Sequence, residues 1–228
     1  MAPHFRLLLI VAAFLASAGA AFADWPASHV ARLEPGLGGV CENCNLHGRI
    51  LAGVRMRNGV FRRSDFSRAV LARADASGSN FERANFADAD LSHARLVEAQ
   101  CTGATFTAAI MSHSEASRAV FARANFNRAE MQSASFIQAD MHDAILTFTH
   151  ADRAEFIGAN LTRAHLNHGD FADADFSRAD LTGADLTRAE LQGADLDTAR
   201  GLTQAQLNRA CGDRATRLPR RLHIPRCS

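Results

Sequence analysis

The chain has 228 residues, 47% of them hydrophobic, with 25 basic residues against 24 acidic ones. This places it among ordinary one-domain globular proteins and excludes a strongly basic nucleic-acid binder or an overall acidic field. All of the basic residues are Arg, Tyr is absent, and Trp25 is the single tryptophan.

Residues 1–23 read as a cleavable secretory signal. His4 and Arg6 form a short polar start, Leu7 to Ala18 an apolar stretch, and Ala21-Phe22-Ala23 an A-x-A cleavage site, with cleavage expected after Ala23. The apolar stretch is too short for a span of about 20 residues, so an integral membrane protein is not expected. The mature chain is then periplasmic or secreted.

Residues 24–45 read as an N-terminal cap. Trp25, Val30, Leu33 and Leu37 are its apolar anchors, and Cys41 and Cys44 form a C-x-x-C at its end. An oxidising compartment favours a disulfide there. A redox dithiol needs a βαβ context and a zinc site needs two more ligands at matching spacing, and neither is in view.

From Leu46 to Leu196 every fifth residue is apolar, and from Ser64 to Ala199 the residue two places before each is Ala, Ser, Gly or Thr. A period of five matches neither a strand nor a helix. The chain must instead turn a corner once per repeat, giving a four-sided coil of about 20 residues with the large residue inside and the small one admitting close backbone approach. At the spacing of paired strands, residues 46–199 build an all-β solenoid of about 7–8 coils and about 36 Å. Residues 20 apart then stack, so Phe66, Phe86, Phe106 and Phe126 form one core ladder and Phe136, Phe156 and Phe176 another.

Ala159-Asn160-Leu161-Thr162-Arg163, Ala179-Asp180-Leu181-Thr182-Gly183 and Ala184-Asp185-Leu186-Thr187-Arg188 resemble the A-(D/N)-L-x-x signature of the pentapeptide-repeat family. The resemblance implies a right-handed quadrilateral β-helix, and it says little about function. It also admits a homodimer through the C-terminal segment. A further role that it implies is protection of a topoisomerase by mimicry of DNA, which the neutral mature chain and the signal segment disfavour unless the protein is cytoplasmic.

Residues 200–228 read as a C-terminal cap. Thr203 with Gln206 resembles a capping box opening a short helix through about Ala210, with Leu202 and Leu207 facing the last coil, followed by an irregular tail that Cys211 and Cys227 pin by a disulfide. The tail holds seven Arg against Asp213, and residues 165–199 hold eight acids against Arg178 and Arg188.

On the outer surface the sequence suggests ion pairs across one corner residue: Arg63 with Asp65, Arg73 with Asp75, Arg128 with Glu130, Arg153 with Glu155, Arg178 with Asp180 and Arg188 with Glu190. Arg63, Arg83, Arg123 and Arg163 fall on one face at coil multiples and form the candidate strip for an acidic partner. His93 and His113 are one coil apart, an incomplete metal site by themselves. No nucleophile, base and orienting group come together, so no enzyme, cofactor or nucleic-acid ligand is expected. The expected role is a rigid extracytoplasmic rod presented to a protein or an envelope component.

Overall fold

A computed structural model describes residues 39–227. The signal segment and the apolar anchors of the N-terminal cap, Trp25 to Leu37, lie outside the described residues.

The chain winds as a right-handed quadrilateral coil, each pentapeptide forming one side. Parallel bridges join residues 20 apart without interruption, from Val40 with Val60 to Asp180 with Arg200. The register is thus already running at Val40, ahead of the boundary at residue 46 expected from the sequence. Cys41 takes a large-residue position and Cys44 a small-residue position of the first coil, both buried, which is why that coil escapes a search for Leu, Phe and Ala.

Three backbone hydrogen bonds per pentapeptide join successive coils. In the first side, Cys41 N–H donates to the Val60 carbonyl (2.7 Å), Asn43 N–H to that of Arg62 (2.9 Å), and Asp65 N–H to that of Cys44 (2.8 Å). Each corner closes by a turn, as when Ala69 N–H donates to the Phe66 carbonyl (2.9 Å). The second corner residue is left-handed at every repeat from Asn43 to Gly193, at φ 57° for Arg68 and 58° for Gln138. The chain therefore turns inward at these corners regardless of side chain, although Gly and Asn adopt that conformation at least cost.

The interior is solid. Phe66, Phe86, Phe106 and Phe126 stack with ring centroids 4.9 Å apart at each step. Phe136, Phe156 and Phe176 follow at 5.4 and 5.0 Å. Ladders on adjacent sides meet edge to face, as Phe121 does with Phe126 at 5.2 Å and 68°. Two of the four hydroxyls that replace Ala in the small-residue column stitch early coils together. Ser64 Oγ donates to the Cys41 carbonyl (2.6 Å) and accepts from Cys44 N–H (3.1 Å). Ser79 Oγ bridges Met56 and Gly59 in the same way.

At the C-terminal end the helix α1, Gln204–Leu207, is shorter than the sequence suggests. Residues beyond it must become extended, because Cys211 pairs with Glu190 and Arg217 with Asp195 as a partial further coil. The Thr203–Gln206 capping box is formed. The Gln206 amide donates to the carbonyls of Leu181 and Ala184, both at 2.9 Å, closing open groups of the last full coil.

Candidate functional site

Cysteine placement comes first, because it limits chemistry. Cys41 and Cys44 are disulfide-bonded with Cα atoms 5.5 Å apart, and Cys211 and Cys227 with Cα atoms 4.8 Å apart. Cys101 is the free thiol among the described residues, fully buried between Phe81 and Phe121 in its column, and burial pushes its ionisation far above the usual thiol range.

The four arginines of the candidate strip do share one corner column, each left-handed at φ 56–58°. They are not a uniform cationic stripe. Arg163 binds Asp143 through Nε (2.8 Å) and Nη2 (2.7 Å), and this pair holds the Asp143 carboxyl below its ordinary range, with Arg123 adding to the field. Arg83 lies beside Gly103, which offers no side chain. The strip thus divides into Arg63 with Arg83 at one end and Arg123 beside an ion pair at the other.

The ion pairs suggested across one corner do not form. Charges pair along the rod instead, between coils: Arg62 with Glu82 (2.9 Å), Arg95 with Glu115 (3.1 Å) and Arg118 with Glu98 (2.7 Å). Equivalent residues of stacked coils lie at strand spacing, about 4.8 Å, whereas alternate residues along one strand are about 7 Å apart. Arg153 turns instead to its neighbour Asp152 (2.7 Å).

The acidic last coils are occupied by the tail. Arg217 bridges Asp195 (2.6 Å) and Asp197 (3.6 Å). Hydrogen bonds from Thr182 and the field of Arg200 hold Asp180 low, and Thr187, with Arg209 among the nearby charges, does the same for Asp185. One tail arginine thus bridges two acids of the last coil.

His93 and His113 stack at 4.9 Å and 9°. Among the described residues no three metal-ligating side chains converge. His168 stacks on Phe148, and His150 and His165 stand on other columns.

Phe148 is the feature that sequence reasoning passed over. It is 45% exposed and left-handed at φ 59°, a sterically costly place for a bulky side chain. The signal was present: within the coils every other Phe sits on the period of five. Ile110 and Ile145 are also partly exposed.

The sequence model for pentapeptide repeats matches in 8 copies between residues 64 and 200. Among solved structures, the chain is similar to HetL, a pentapeptide repeat protein involved in heterocyst differentiation regulation from the cyanobacterium Nostoc. Identity is 26% over 80% of this chain and 82% of that one, with a TM-score of 0.56. It is also similar in fold to a trypsin-treated form of QnrB1, a plasmid-mediated fluoroquinolone resistance protein. There identity is 19% over 80% of this chain and 93% of that one, with a TM-score of 0.66. No curated protein matches the sequence.

Proposed function

The chain belongs to the pentapeptide-repeat family, and from that premise we propose that it is a non-enzymatic rod acting outside the cytoplasm, in the periplasm or after secretion, where it presents its outer faces to a protein or envelope partner. The observation that carries this reading is the solid interior. With Phe61, Phe81, Phe106 and Phe126 fully buried, the coil encloses no chamber in which a substrate could be desolvated, and all remaining chemistry lies on the outside. Near-equal numbers of basic and acidic residues, 25 and 24, with Arg spread over the coils, argue against a duplex mimic, whose field must be uniformly negative.

Sequencing of the mature N-terminus after cell fractionation tests the location: Asp24 as first residue in the periplasmic or extracellular fraction is expected, and intact Met1 in the cytosol overturns it. Photo-crosslinkers at Arg83 and Arg123 test the role. A discrete crosslinked partner protein is expected, and crosslinks only to bulk protein in proportion to abundance overturn it.

A further inference from the structure

One corner of the rod carries a notch that the fold does not require. Ile137 and Ile157 occupy the same corner position of successive coils, where the coils on either side place Ser117 and Ser177. The adjacent column runs Gln138, Gly158, Arg178 and Thr198. Gly158 leaves a gap in it, since a Cβ there would meet nothing closer than Gln138 Cγ at 3.6 Å. The resulting groove holds about 330 Å³, and Arg200 joins its lining.

Three carboxylates on the adjoining columns already carry partners. Asp180 accepts from Thr182 N–H (3.0 Å), Asp140 accepts from the Asn160 amide (2.9 Å) and pairs with the His142 ring (2.8 Å), and Asp195 is held by Arg217. Arg178 bonds only through its backbone N–H, to Thr198 Oγ1 at 3.0 Å, and forms no ion pair among the described residues. An apolar floor of two isoleucines therefore lies beside an uncommitted guanidinium.

We propose that this notch takes an aliphatic side chain together with a neighbouring carboxylate from a polypeptide partner: the side chain on Ile137 and Ile157 in the gap at Gly158, the carboxylate on Arg178 with Arg200 adding to the field. The proposal rests on the reading of the rod as a partner-binding protein. A polypeptide suits the notch better than a free amphiphile, because Gln138, Arg178, Thr198 and Arg200 are all exposed. The groove is open along its outer side, whereas small-ligand sites enclose most of their ligand. A side chain delivered by a partner has the rest of its surface covered by that partner.

The test titrates the isotope-labelled mature chain with a heptapeptide containing Leu-Glu, a matched Leu-Gln peptide and octanoate, following amide shifts. The expected result is a response to Leu-Glu at Ile137, Ile157, Gly158 and Arg178, weaker by about tenfold for Leu-Gln and for Arg178→Gln. Gly158→Gln should abolish it by plugging the notch, while Gly103→Gln, a plug on another corner, should not. Gln138 already adopts φ 58° in the same column, so Gly158→Gln is compatible with the fold. No response at about 5 mM, equal response to Leu-Gln, octanoate binding as well as Leu-Glu, or full binding to Gly158→Gln each overturn the proposal. A partner crosslinked through Arg83 whose capture is untouched by Gly158→Gln would leave the rod's general role standing while this site falls.

Discussion

Phe148 and His168 stack ring on ring on the outside of the coil, with centroids 4.7 Å apart and planes 22° from parallel. This repeats the geometry of the interior ladders in water, where it covers little area. The same pentapeptide, Ile145 to Thr149, also bends the local ladder: Phe148 N–H reaches the Asn167 carbonyl at 3.2 Å and Thr149 N–H the Leu146 carbonyl at 3.4 Å, at the long limit of a good bond.

Replacing Phe148 by Gly should accordingly be close to neutral for stability. It loses a stacking contact of about 0.5–1.5 kcal/mol and relieves left-handed strain of about 1–3 kcal/mol, against the greater chain entropy of glycine. Thermal unfolding followed by circular dichroism should show a midpoint within about 3 °C of the parent. A drop beyond about 8 °C would mean that the ring is structural.

Phe126→Ala offers the contrast. Phe126 is fully buried between Phe106 and the edges of Phe121 and Phe136, and truncation there costs about 3–5 kcal/mol. Denaturant unfolding should shift by that amount, with hydrogen-exchange protection falling most in the coils directly above and below, since each coil contacts only its neighbours.

Breaking the Cys211–Cys227 disulfide by the double serine variant should free the end without melting the middle. The amides of Leu191 and Leu196 donate to the Cys211 and Arg217 carbonyls, both at 2.8 Å, so their exchange should accelerate while that of Phe106 is unchanged. Uniform acceleration along the rod would contradict this.

Acid should destabilise the protein along the rod, the C-terminal coils included, because Asp65, Asp75 and Asp143 are held low as well. Asp180 and Asp185 are held below the ordinary aspartate range first by hydrogen bonds from Thr182 and Thr187. A carboxyl depressed in the folded state contributes stability that is present above its unfolded value and is lost as pH falls through the folded one. The unfolding midpoint should therefore be level from about pH 8 to about pH 5 and decline below about pH 4. A decline already centred near pH 6 would contradict this.

Cys101 should resist thiol reagents in the native state and react in full on denaturation, because its thiol is buried and burial disfavours the thiolate. Fast labelling of the folded protein would show that the middle coils open.

The interior was legible residue by residue because one constraint, an apolar residue every fifth position, repeats without interruption from Leu46 to Leu196. Both stacks of Phe follow from it directly. The outer surface was harder to read, since corner residues answer to neighbours a full coil away. That is why Arg62 finds Glu82 and Arg163 finds Asp143, while the suggested pairs of Arg63 with Asp65 and Arg153 with Glu155 do not form. Cys41 and Cys44 were set apart by their chemistry, although by position they are an ordinary core residue and an ordinary small residue. The end of α1 was misplaced because what stops it is a pairing with Glu190, which no local signal encodes. The notch at Gly158 needed two columns to be read together, one apolar and one interrupted.

Stacked parallel coils have no intrinsic length: any coil that offers open amides and carbonyls is a template for another, and a rod of this kind could in principle grow by adding copies of itself end to end. Here Gln206 occupies the carbonyls of Leu181 and Ala184, and the tail beyond it lies across the neighbouring sides. The C-terminal segment is in that sense a lid on the growing face, which leaves the last coil no open edge on these sides for a further coil to copy.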